Sequence, residues 1–233
     1  GAGSGKTRTL TYRVAWLLKE GVRPGEILLL TFTNKAAREM LDRVDELTGI
    51  HRRLFWGGTF HHIGQRVIRA YGESLGIRRS FNIIDENDAE ALLSEVIRET
   101  DKEFLKTKDY PKAKVIANLI SFARNTLRPL GDVMREKQPY FVELTDRIEQ
   151  FHKLYQAKKL EQQVCDYDDL LEHWLRILET NEDAAFYYQN RFRHILVDEY
   201  QDTNLLQSRI IDLMGAHHRI MAVGDDAQCI YTW

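Results

Sequence analysis

The stretch Gly1–Thr7, GAGSGKT, runs straight into RTLTYRVAWLLK, and its reading decides the fold. A glycine run that ends in Gly-Lys-Thr has the chemistry of a phosphate-binding loop. Gly1, Gly3 and Gly5, with Ala2 and Ser4 between them, let backbone N–H groups curl around phosphate oxygens. Lys6 supplies a point charge, and Thr7 offers a hydroxyl to Mg²⁺. Leu10, Val14, Leu17 and Leu18 then recur at helical spacing. The spacing predicts a helix whose N-terminus faces the phosphates, where its dipole favours anions. The plainer alternative is a glycine-rich turn ahead of an ordinary surface helix. Because the pattern G-x-x-x-x-G-K-[ST] needs one residue before Gly1, the opening of the loop and the strand that feeds it are expected upstream.

Composition narrows the remaining choices. At 233 residues the chain is long enough for one domain with an inserted subdomain, and 43% hydrophobic with 29% charged residues describes an ordinary globular protein. The apolar runs Ile27–Leu30 and Ile195–Val197 are strand-sized, well short of the about 20 residues that a membrane span requires. Cys165 and Cys229 provide no disulfide framework, so a reducing intracellular compartment is expected. Thirty-three basic and 35 acidic residues leave a formal charge of -2, so any nucleic-acid contact must be local.

Three β-rich runs flanked by helical patterns predict a parallel α/β sheet: Glu26–Phe32, His194–Asp198 and Arg219–Val223. Between the first two, from about Phe81 to Gln163, the pattern turns helical, as in Val115, Leu119, Ile120 and in Leu144, Ile148, Phe151, Tyr155. Asp85 and Asp88 ahead of Ala89, Leu92, Leu93 and Val96 mark a helix start, while Pro129 and Pro139 break helices. The expected organisation is residues 1–80 and 164–233 as two parts of one α/β domain, with 81–163 as a helical insertion.

The C-terminal edge of such a sheet is where ligands bind. Asp198-Glu199 ends the second strand, and adjacent carboxylates there can divide the work of phosphoryl transfer to water. One holds Mg²⁺ and the other orients and deprotonates the water. Asp198 is the candidate metal ligand and Glu199 the candidate base; the alternative is that both merely precede a helix with Thr203 as its N-cap. Gly224-Asp225-Asp226-Ala227-Gln228 follows the third strand, and the Gln228 amide is placed to sense a γ-phosphate or the attacking water. At the first strand end, Phe32 among Thr33, Asn34 and Lys35 suits single-stranded nucleic acid, the ring stacking on a base and the polar groups meeting phosphates. Phe32 as core and Thr33 as a helix cap is an equally good reading. Thr59, Phe60 and His61 pose the same choice. No metal-ligand spacing involves His61, His62 or either cysteine.

Taken in order, GAGSGKTRTL, LLLTFTNKAAREM, GTFHHIGQRVI, DYDDLL, ILVDEYQDTN and VGDDAQCIYTW resemble the N-terminal part of a superfamily 1 DNA helicase of the UvrD/Rep/PcrA type. The resemblance implies a RecA-like P-loop NTPase domain with residues 81–163 as an inserted accessory subdomain. It implies ATP and Mg²⁺ as cofactors, with Arg8 near base and sugar, Lys6, Thr7, Asp198 and Glu199 in the roles above, and Gln228 at the γ-phosphate. It also implies single-stranded DNA along Phe32, Thr33, Asn34, Thr59, His61, Tyr231 and Trp233, with 3′-to-5′ movement. Duplex junctions and repair or replication proteins are the implied partners, no membrane is involved, and the implied location is cytoplasmic and nucleoid-associated. Ala227 and Cys229 stand where the family usually carries polar residues, although Gln228 stays in register. A second motor domain with arginine fingers is expected beyond Trp233. The motor part of a helicase-nuclease subunit and a non-catalytic nucleotide-gated DNA-binding module are the alternatives.

Overall fold

The computed structural model describes residues 5–215 and 219–224. The chain divides into two compact units, residues 5–67 with 174–224 and residues 68–173. The divide falls inside the helices α3 (Phe60–Tyr71) and α8 (Tyr167–Thr180).

The first unit is built on four parallel strands. These are β1 (Ile27–Thr31), β2 (Trp56–Thr59), β5 (His194–Val197) and β6 (Ile220–Ala222), in the order β2-β1-β5-β6. β1 reads ILLLT and is buried at every position, as expected of a parallel strand covered on both faces. Ile27 and Leu29 point to one face, where α1 (Lys6–Lys19) lays down Leu10, Val14 and Leu17, and α2 (Asn34–Thr48) lays down Met40 and Val44. α9 (Glu182–Arg191) leads into β5, and α10 (Leu205–Met214) separates β5 from β6. The register aligns Thr31 with Thr59 and Val197 with Ala222, so the C-terminal ends of the strands form one edge. Three of these strands match the sequence expectation with ends trimmed by one residue. β2 is additional: WGGT has no β-branched run to announce it.

The second unit contains α4 (Glu86–Thr100), α5 (Ala113–Asn125), α6 (Leu130–Lys137) and α7 (Thr145–Gln162). It is helical apart from a two-residue parallel pair, β3 (Asn82–Ile83) with β4 (Val164–Cys165). Asp85 caps α4 by accepting from the N–H groups of Asn87 and Asp88, and Pro129 immediately precedes α6. Leu93, Val96, Phe104, Ile116, Ile148 and Phe151 lie in a single apolar core, with the Phe104 and Phe151 rings edge-on at 4.9 Å.

Next to that core sits a buried ion cluster. Lys159 Nζ donates to Asp166 at 2.5 Å and to Asp169 at 2.6 Å, and Arg124 donates to Asp169 at 2.6 Å and to Glu172 at 2.5 Å. The Tyr155 hydroxyl donates to Asp166. Asp166 and Asp169 also accept each other's backbone N–H, closing the first turn of α8. The DYDDLL segment is therefore spent on holding α5 and α7 to the start of α8. Burying charges is repaid only when every partner is present, and here Asp166 and Asp169 each have several donors.

His152 lies beside this cluster, facing Arg124, Glu172, Lys159 and Asp166. Burial, reinforced by the Arg124 charge, pushes its pKa down from 6.5 to about 4. The unfolded chain therefore takes up a proton here at higher pH than the folded chain does, and stability falls as pH drops from 6.5 towards 4. The loss expected from this one group reaches roughly 3 kcal/mol. Thermal unfolding followed by circular dichroism should show the midpoint falling over this interval, with a flatter profile in His152→Gln.

Candidate active site

Gly5 is the N-cap of α1 in a left-handed conformation, φ 80°, which glycine adopts without strain. It places Lys6 and Thr7 in the first turn of α1, and as a glycine it offers no side-chain cap to the N–H groups there. β5 delivers Asp198 and Glu199 to the same place. The Thr7 hydroxyl donates to Asp198 Oδ2 at 2.9 Å, and Lys6 Nζ lies 3.6 Å from Glu199 Oε2. The backbone N–H of Glu199 donates to Asp198 Oδ1 at 3.0 Å. Glu199 itself sits at φ 52°, a left-handed position that is uncommon for a residue with a Cβ and costs roughly 1 kcal/mol.

Asp198 is 2% exposed. Burial raises its pKa and the Glu199 charge adds to that, while the Thr7 hydroxyl, the Glu199 N–H and Lys6 pull it back. Asp202 is also raised, by burial and then by Glu199. Gln201 Nε2 donates to Glu199 Oε2 at 2.5 Å and reaches Asp202 at 3.5 Å. Thr7 and Asp198 offer only oxygen, the donor type that suits Mg²⁺. Their 2.9 Å separation matches the roughly 3 Å between neighbouring ligands of an octahedral ion with about 2.1 Å bonds. The residues fit the ion.

The other candidates lie along the same unit. Arg8 is exposed, with its guanidinium 5.4 Å from the centre of the Tyr12 ring. Phe32 is 39% exposed at the end of β1, so it is not a core residue. Thr33 caps α2, its hydroxyl oxygen accepting from the Ala36 N–H at 3.1 Å, and Asn34 opens the helix on the exposed side. Thr59 is buried at the end of β2 and accepts from the His62 N–H. His61 is half-buried in the first turn of α3. Gly1, Ala2, Gly3, Ser4, Gln228, Tyr231 and Trp233 lie outside the described residues.

Two sequence readings change. The helix after the carboxylates is capped by Asn204, in a reciprocal box with Gln207, rather than by Thr203. A short 3₁₀ turn, Tyr200–Asp202, intervenes. Cys165, Asp169 and His173 hold potential ligand atoms within 4.8 Å of one another, a grouping that sequence spacing does not reveal. Asp169 is already committed to Lys159 and Arg124, so an added cation would meet two positive charges. Gln201, beside Glu199, is the contact that motif reading passed over.

A helix N-terminus bearing Lys-Thr against Asp-Glu at the end of a parallel strand defines a RecA-like P-loop NTPase domain. Residues 1–233 match the UvrD/REP helicase N-terminal domain, and the chain belongs to that family. It is 37% identical over 235 aligned residues to proteins named ATP-dependent DNA helicase PcrA from Staphylococcus aureus strain Mu50 and Staphylococcus epidermidis strain ATCC 35984. The alignments cover 100% of this chain and 31% of each relative, so the chain spans about a third of their length. Among the described residues, no helix is long and apolar enough to cross a membrane.

Thr33 already has a structural task. Thr33→Ala is expected to cost about 1 kcal/mol by exposing the α2 N-terminus, whereas Thr33→Ser should retain most of that stability. Urea unfolding of the two variants measures the difference.

Proposed function

We propose that this domain binds and hydrolyses ATP with Mg²⁺ and couples the cycle to 3′-to-5′ movement along single-stranded DNA, as the motor part of a helicase acting in DNA repair or replication. The observation that supports this most is the common sheet edge. Lys6, Thr7, Asp198 and Glu199 meet at the end of β5, and Phe32 and Thr59 stand at the ends of β1 and β2 on that same edge. A change in the phosphate site is thus one or two strands from the proposed DNA track.

In this reading Thr7 and Asp198 hold Mg²⁺. Held there, the ion would supply positive charge against the charge that develops on the phosphates. The N–H groups of the first turn of α1 and Lys6 receive the phosphates, and Arg8 lies towards the base and sugar. Lys6 now leans on Glu199 at 3.6 Å. When phosphate draws Lys6 away, the Glu199 carboxylate is released to accept a proton from the attacking water. We assign Gln228 to the γ-phosphate. Phe32 stacks on a base, Thr33, Asn34, Thr59 and His61 meet the strand, and Tyr231 and Trp233 continue the track. Residues 81–163 form the accessory subdomain of this motor. Duplex junctions, repair or replication proteins and a cytoplasmic, nucleoid-associated setting complete the reading.

Glu199→Gln in the full-length protein is expected to leave nucleotide affinity within about twofold while cutting DNA-stimulated ATP turnover by orders of magnitude, since binding needs the metal and chemistry needs the base. Retention of near wild-type turnover removes Glu199 from that role.

Phe32→Ala tests the DNA track. The exposed ring predicts a loss of about 1 to 3 kcal/mol in single-stranded DNA binding with little change in melting temperature. Unchanged affinity in fluorescence-anisotropy titration refutes the stacking role.

A further inference from the structure

We propose that Gln201 is a positioning residue that holds the Glu199 carboxylate in its working orientation, and that Gly224 provides the seat for its amide. The inference rests on the hydrolytic role of Glu199 proposed above. Two donors compete for the same oxygen, Glu199 Oε2: Gln201 Nε2 at 2.5 Å and Lys6 Nζ at 3.6 Å. They differ in charge. Lys6 is needed at phosphate and leaves when nucleotide arrives, whereas the neutral amide stays two residues away in the same turn. A base that lost its only tether at the moment of binding would swing through its rotamers, and a carboxylate held by a second cation would be a weaker proton acceptor. A neutral amide fixes one carboxylate oxygen and leaves Oε1 for water.

The backbone around this contact is arranged to preserve it. Glu199 is left-handed at φ 52°, which turns the chain back so that residues 199 and 201 face each other. The Tyr200 N–H donates to Val223 O at 2.9 Å, joining the turn to the end of β6. The next residue, Gly224, lies against the Gln201 amide. A Cβ on Gly224 would fall 2.7 Å from Gln201 Oε1 and 3.2 Å from its backbone nitrogen, so any side chain there displaces the amide or the turn. Glycine at 224 is thus a steric requirement of the Gln201 position rather than of its own φ.

The test is steady-state DNA-stimulated ATPase on the full-length protein carrying Gln201→Met, which keeps the length and loses the donor, together with Gly224→Ala. Gln201→Met is expected to lower kcat by about 10- to 100-fold while KM for ATP moves less than about twofold, and Gly224→Ala should shift kcat in the same direction. In a Glu199→Gln background, adding Gln201→Met should change kcat by less than about twofold, because the group it positions is gone. A merely structural role predicts instead equal losses in both backgrounds, tracking melting temperature, and that outcome overturns the proposal. So does full kcat in Gln201→Met beside an inactive Glu199→Gln. Full turnover in Glu199→Gln refutes the catalytic reading itself, and the proposal falls with it.

Discussion

The hydrogen bond from the Thr7 hydroxyl to Asp198 spans 191 residues of sequence and ties the first turn of α1 to the residue that follows β5. Asp198 can be almost wholly buried because this hydroxyl and the Glu199 N–H satisfy it, and a buried carboxylate without such donors is among the costlier features a fold can carry. Its own N–H donates to Leu30 O, so the same residue also pins the end of β1. Three elements are registered against one another at a single side chain. Removing the Thr7 hydroxyl leaves a polar group short of a partner, at a cost of about 1 to 3 kcal/mol, and releases the helix from the sheet edge.

How much of this was legible depended on how strongly each residue's local pattern agrees with its final place. Leu10, Val14 and Leu17 alternate on one helix face, ILLLT is apolar throughout, and Asp85 precedes a helical period. All three readings need only local chemistry. WGGT offers no such signal, since its two glycines suppress β propensity and its place as an edge strand comes from the hydrogen bonds of β1. The Asn82–Ile83 and Val164–Cys165 pair is too short for any periodicity to appear. Within the site, the glycine run closing in Gly-Lys-Thr pointed to Lys6 and Thr7, and acidic residues at a strand end pointed to Asp198 and Glu199. The partnership of Gln201 with Glu199 was not legible, because it depends on a left-handed residue that carries a Cβ. The 3₁₀ turn that follows it places the next helix cap at Asn204 rather than Thr203.

DYDDLL illustrates the other limit of motif reading. It stands beside the phosphate and carboxylate segments as a mark of the family, yet its aspartates are consumed by Lys159, Arg124, Asn125 and each other's backbone. A segment can identify a family because it holds a fold together, and only its hydrogen-bond partners distinguish that case from a segment that meets a ligand.

The crowding of carboxylates around Lys6 has a consequence for what can enter. Asp198, Glu199 and Asp202 are formally three negative groups, against one lysine within 4 Å of any of them among the described residues. If nucleotide binds here as proposed, one arriving as a bare polyanion would meet repulsion at the Asp-Glu end even while the helix N-terminus attracts it. The same nucleotide arriving already complexed with a divalent cation brings its own compensation to the oxygen pair of Thr7 and Asp198. On the reading proposed above, the electrostatics of the edge would act as a filter on ion content, favouring metal-loaded nucleotide over the free form before any contact with base or sugar is made.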